Sequence, residues 1–277
     1  MEAHWLTDLD KAHAETLARA ADARIDRATL ASLADLEAFA ALNLVPVPAD
    51  PVAHLVAGYA RTRQYIEHLT RYDPSRIVSI SARDGYIYPM TPRKILRRVA
   101  DHALDHFNQL EQWLDWQDRG VVPVPTDGWA PSDVTFDEDT FPVTESELAA
   151  WLWRVDRVMA LFTRRAAGLT PAQLDWQPPN GGWTLERVLH HVARWYAYAA
   201  WLDEALPEDA HARYVEAHRR LRKQVAHLVA SPPPPDTAYY GNAGVPLSLA
   251  DMLQGVLAAE LEVETTGRLG PVTSELD

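Results

Sequence analysis

Cysteine is absent from the 277-residue chain. Disulfides, thiolate metal sites and a cysteine nucleophile are thereby excluded, and the composition fits a reducing compartment. Long apolar runs are missing as well, so no segment has the length of a membrane-spanning helix. The N-terminal Met1-Glu2-Ala3-His4-Trp5 lacks the basic and apolar regions of a signal peptide, and the expected location is cytoplasmic. Positive charge is in deficit: 26 Lys and Arg against 39 Asp and Glu leave a formal net charge of -13. Nucleic acid and anionic membrane surfaces need clustered Lys and Arg, so neither is expected as a partner. No glycine-rich phosphate cradle and no Gly-x-Ser-x-Gly element occurs.

What is present is helix. Apolar residues recur at helical period from about 8 to 23 and again up to Leu42, with Thr29 as the expected N-cap. Further helices are expected over about 51–71, from Pro92 behind an N-cap at Thr91, and from Thr144, where Glu147 completes a capping box. Trp183-Thr184-Leu185-Glu186 opens a helix running to Leu206, another spans about 208–230, and Ser248 caps the last. Residues 76–90, with an Asp84-Gly85 turn, read as a small hairpin or an irregular loop. Residues 121–143 read as a linker, rich in proline, with Asp137-Glu138-Asp139 as a solvated acidic run. The expectation is an all-α chain of two tandem up-down four-helix bundles, residues 1–120 and 144–277.

His102 and His106 are the first candidates for chemistry. At helical period Ile95, Val99, His102, His106, Leu110 and Trp113 fall on one stripe. Two imidazoles thus occupy an apolar face, where a buried polar group needs a partner. An inward pair one turn apart presents two nitrogens to one metal; the alternative is a pair of hydrogen-bonded core histidines.

A weak internal repeat relates the halves. Val52 to Ala57 resembles Leu189 to Arg194, and Thr91 to Leu96 resembles Ser248 to Leu253. The second alignment sets Ala259 opposite His102 and Val263 opposite His106, so the fold does not itself require the histidine pair. Other polar residues receive plainer readings. His190 shares a face with Glu186 and Arg194 and is expected exposed. His191 leans inward as a core histidine, or as a ligand together with Glu260 and Glu264. His211, His218 and His227 read as surface residues, and Asp101 and Asp105 as solvent-facing, with the orientation of a ligand imidazole as the alternative. Arg97 and Arg98 are read as solvated, with an anionic substrate as the alternative. Tyr59 and Tyr65 are expected in the core, with the lining of a pocket as the alternative.

Two segments resemble the DinB-like (DinB/YfiT) superfamily. Trp183-Thr184-Leu185-Glu186-Arg187-Val188-Leu189-His190-His191-Val192-Ala193 is similar to its second-helix signature. Thr91-Pro92 through His102, His106, Gln109 and Leu110 is similar to its last helix. The resemblance covers most of the chain as two copies. It implies four-helix bundles with a divalent metal, zinc or nickel, held by one histidine of the second helix and two of the last. Transferred to this chain, the ligands would be His54, His102 and His106, with a degenerate second site around His191. The implied function is a metal-dependent transferase, thiol-dependent in some members, or a hydrolase acting on a small molecule. A non-catalytic metal- or ligand-binding bundle and a structural or dimerising protein are the alternatives. Tandem copies imply a monomer with an internal pseudo-dimer, or a homodimer.

Overall fold

The structure, a computed structural model, describes residues 4–73, 78–81, 87–124, 134–194, 200, 206–234, 237–240 and 244–267. It is all-α. Helices α1 (His4–Ala21), α2 (Arg27–Asn43), α3 (Pro51–Ile66) and α4 (Pro92–Arg119) are followed by α5 (Glu145–Ala166) and the short α6 (Pro171–Asp175). Then come α7 (Leu185–Ala193), α8 (Ala210–Ala230) and α9 (Leu249–Thr266). The strands are short: β1 (Val78–Ser81) with β2 (Ile87–Met90), and β3 (Tyr239–Tyr240) antiparallel to β4 (Pro246–Leu247), with Tyr239 opposite Leu247. The Asp84-Gly85 turn, the stretch from Trp195 to Ala199 and residue Leu269 lie outside the described residues.

The helix ends follow local chemistry. Thr91 accepts from Lys94 N at 3.1 Å, and the Thr144–Glu147 and Ser248–Asp251 capping boxes satisfy N-terminal amides of α5 and α9. Gly120 closes α4 at φ 69°, a left-handed position that glycine occupies without cost. At α2 the cap is Asp26, which accepts from Thr29 N at 2.7 Å, so Thr29 lies inside the helix rather than at its start.

Two compact units result, and they are not the sequential halves 1–120 and 144–277 expected above. Unit 1 takes residues 1–47, 79–88 and 204–277; unit 2 takes 48–78 and 89–203. Unit 1 is a bundle of α1, α2, α8 and α9, with Leu9, Leu44, Leu221, Val225, Leu253 and Val256 in its core. Unit 2 packs α3 on α7, α4 on α5 and α7, and α3 on α5. Leu55, Ile95, Val99, Val155, Phe162 and Val188 are buried there. The physical reason is that a four-helix core needs four apolar stripes, and pairing is decided by which stripes fit. Neighbouring helix pairs therefore combine across the midpoint of the chain.

Fit is visible where α3 crosses α7. A Cβ on Gly58 would overlap the Ala193 carbonyl, so only glycine allows this approach. The acidic run behaves differently from a solvated loop at one residue. Asp139 is buried and takes a bidentate grip from Arg97, Nε to Oδ1 at 3.1 Å and Nη2 to Oδ2 at 2.8 Å. Thr91 Oγ1 also donates to the Asp139 carbonyl at 2.5 Å. Arg97 is thus committed to anchoring the segment before α5 on α4, not to a substrate. Among the described residues, no helix is long and apolar enough to cross a membrane.

Candidate metal centre

The stripe expected on α4 forms as read: Ile95, Val99, His102, His106, Leu110 and Trp113 are all buried. His102 and His106 therefore point into unit 2. There they meet a third imidazole, from α7. His102 Nε2 lies 3.0 Å from His191 Nε2, and His106 Nε2 lies 3.0 Å from His102 Nε2. The three rings meet at steep angles, with centroids 4.3 to 4.9 Å apart. A ligand atom from each lies within 4.8 Å of the others.

The donor set fits a divalent ion. Zinc–nitrogen bonds of about 2.0–2.1 Å separate tetrahedral ligand nitrogens by roughly 3.3 Å, close to what is found here. The tautomer of His106 is set from behind: its Nδ1 donates to Gln109 Oε1 at 2.7 Å, which leaves Nε2 with a lone pair facing the cluster. Ligand imidazoles must be neutral. Burial holds His102 far below the ordinary imidazole range, and the neighbouring His106 and His191 push it further down. Burial lowers His106 to about 4, against a small upward pull from Gln109. At neutral pH both are unprotonated.

His191 is held in place by the turn that precedes its helix. Trp183 meets its ring edge-on at 5.0 Å, Arg187 covers the Trp183 ring, and Trp113 Nε1 donates to the Trp183 carbonyl at 2.8 Å. Thr184 caps the helix through Arg187 N. Trp113 on α4 and His191 on α7 thus belong to one packed assembly.

The structure does not bring His54 to this group. His54 Nδ1 lies 2.8 Å from His190 Nδ1, one imidazole donating to the other, on the α3–α7 crossing that Gly58 permits. Burial holds both rings neutral, lowering His54 to about 2 and His190 to about 4. His190, expected exposed, is only 1% accessible. Its neighbour His191, read as a core or degenerate position, is the imidazole that lies against His102 instead. The reason is the pairing of helices: α7, not α3, presents its histidine toward the inward face of α4. The Trp183 to His191 segment carries the signal, but the sequence alone does not connect it with α4. Glu260 and Glu264 lie on α9 of unit 1 and do not join His191. Asp105, expected in solvent, is buried, while Asp101 is half-buried beside Arg97 at 3.6 Å.

A pocket opens beside His102, lined by Tyr59, Thr62, Val99, Ala103, Met159 and Val192. Tyr59 is therefore a pocket wall rather than simple core. Its hydroxyl donates to Asp156, whose neighbour Arg63 lies at 3.2 Å.

Residues 154–260 match the sequence model of the DinB superfamily. That stretch starts inside α5, runs through α6, α7 and α8 and ends inside α9, so it contributes helices to both units. No curated protein and no solved structure matches the chain.

Proposed function

We propose that His102, His106 and His191 hold one divalent metal ion, zinc or nickel. We read the chain as a metal-dependent transferase, thiol-dependent if it follows the DinB-like pattern, or a hydrolase acting on a small molecule. The observation that carries this reading is the convergence of three imidazoles, His102 and His106 held neutral by burial, through ring nitrogens that lie within 4.8 Å of one another. Three protein nitrogens leave a coordination position open, as in catalytic rather than closed structural sites. When bound, the ion would supply Lewis-acid character to a ligand entering that position.

The remaining work falls to the chain's own residues. Gln109 fixes the His106 tautomer. Val99, Ala103, Met159 and Val192 give the space beside His102 apolar walls, with Thr62 and Tyr59 completing its lining, and it has room for about one water. Asp156 holds the Tyr59 ring in place. The DinB superfamily match over α7 supports the role given to His191. In this reading two DinB-like halves exchange helix pairs, so that the second-helix histidine of one meets the last-helix pair of the other.

The test is metal analysis of protein purified without a histidine tag, followed by turnover. His191→Ala should abolish binding at this site, whereas His54→Ala should leave it intact. The opposite order would restore the His54 assignment and overturn this one. Turnover on a panel of thiol-transfer, ester and amide substrates should vanish in His106→Ala protein. Metal bound without any turnover on that panel would favour a ligand-binding bundle.

A further inference from the structure

Unit 1 carries its own buried polar cluster, remote in composition from the three histidines of unit 2. All four helices of the bundle contribute. His13 comes from α1, Glu37 from α2, His218 from α8 and Glu260 from α9. Glu37, His218 and Glu260 are buried; His13 is partly so. His218, read from the sequence as a surface residue, sits at the centre. Its Nδ1 lies 3.2 Å from Glu37 Oε1, and its Nε2 lies 3.2 Å from Asp10 Oδ1. The His13 ring stacks on it at 3.8 Å.

We propose that His13, Glu37 and His218 form a second divalent-cation site, with Glu260 on its fourth side. A ligand atom from each of the three lies within 4.8 Å of the others. Two further observations point to a ligand. Glu37 is 1% exposed, yet no donor reaches its Oε2 other than a proton it would share with the Glu260 carboxyl, and the buried Nδ1 of His13 has no partner. Buried polar atoms in folded proteins are almost always satisfied, and an orphan calls for an explanation such as an ion. Here an acceptor oxygen and a ring nitrogen are left over in one cluster, the two kinds of atom a cation takes.

The surroundings are arranged around a positive centre. Glu260 keeps its place by accepting from Thr16 Oγ1 and Tyr214 Oη, each at 2.5 Å. Asp10, itself paired with Arg222 at 2.8 Å, holds Nε2 of His218. A carboxylate behind a ligand imidazole is the usual device for orienting it, and leaves Nδ1 free to face the ion. The 3.2 Å between that Nδ1 and Glu37 Oε1 is the spacing of two ligands on one metal as well as that of a weak hydrogen bond. Two carboxylates buried side by side repel each other, and burial and the neighbouring Glu260 push Glu37 well above the usual carboxylate range. A divalent cation removes that conflict. Imidazole nitrogen mixed with carboxylate oxygen suits zinc, iron(II) or manganese(II) better than calcium or magnesium.

The experiment is zinc equilibrium dialysis on the full chain, with X-ray absorption at the zinc edge. Wild-type protein should bind two ions per chain. In the double variant His106→Ala/His191→Ala, which removes the unit 2 cluster, one ion should remain, with mixed nitrogen and oxygen ligands. Adding Glu37→Gln or His13→Ala to that background should weaken it at least tenfold; His13 is only partly buried, so its removal spares the core. Two results overturn the proposal. One is a double variant with a wild-type circular dichroism spectrum that binds no zinc. The other is residual zinc whose affinity neither added substitution changes. If wild-type protein binds a single ion that Glu37→Gln removes and His191→Ala does not, the second site stands and the three-histidine reading fails.

Discussion

His102 and His191 are 89 residues apart in the chain and 3.0 Å apart at their Nε2 atoms. Neither residue creates this approach alone. The stripe on α4 turns His102 inward, and the Trp183 turn, pinned by Trp113, aims His191 at it. Two lone pairs at that distance repel, so either a proton shared between the rings or a cation between them must relieve the contact.

Gln109 makes the first prediction. Its Oε1 orients His106 from the side away from the cluster. Gln109→Met keeps the volume and removes the acceptor. Zinc titration should show affinity at the unit 2 site weakened by roughly 10–100-fold, the usual effect of losing an orienting partner, with the stoichiometry unchanged. Unaltered affinity would mean that His106 is oriented by something else.

Gly58 makes the second. Replacing a helical glycine with alanine ordinarily stabilises by up to about 1 kcal/mol. At position 58 the added methyl meets the Ala193 backbone, and α3 must move off α7. Gly58→Ala is expected to destabilise instead, by about 1–3 kcal/mol as overpacking does, read as a lower melting temperature.

The third concerns Asp139. Its carboxylate is 2% exposed and held by Arg97. Asp139→Ala removes the bidentate partner of a largely buried guanidinium, which keeps Asp101 at 3.6 Å and the Val134 carbonyl at 2.6 Å, and should cost about 1–3 kcal/mol in urea unfolding. Glu138→Ala, one residue earlier and exposed, should cost almost nothing.

The two units should respond to pH in opposite directions in metal-free protein. In unit 2, His106 and His190 are lowered by burial from 6.5 to about 4. Between those values the unfolded chain binds more protons than the folded unit. Unit 2 therefore loses stability as pH falls from 6.5 toward 4, by up to roughly 3 kcal/mol for each group. In unit 1, Glu37 is raised by burial and by Glu260. Burial pulls His218 down, but Glu37 and Asp10 outweigh it and leave it raised; His13, lowered to about 4 by burial and by His218, offsets part of this. A raised group contributes stability below its ordinary value, 4.5 for Glu37 and 6.5 for His218, and loses it as pH rises through the folded value. Hydrogen exchange, corrected for intrinsic rates, should show α7 better protected at pH 8 than at pH 5, and α2 the reverse. A common slope in both helices would contradict this.

The sequence by itself determined the helices, and with them the all-α class. Stripe period, the caps at Thr91, Thr144 and Ser248, and the glycine after Arg119 are local, and local chemistry suffices for them. It also determined that His102 and His106 face inward, since a helix carries its own side-chain directions. It did not determine which helices share a core. Stripes of similar width on α3 and α7 are interchangeable on paper, and only close packing at Gly58 and around Trp183 distinguishes them. For that reason His191 lies against His102, and His54 lies against His190. Similarly, Asp139 in a run of acids and His218 on a charged helix look solvated until Arg97, Glu37 and Asp10 are brought against them. Burial is a property of the assembled bundle, and so the choice of ligands was left to the tertiary structure.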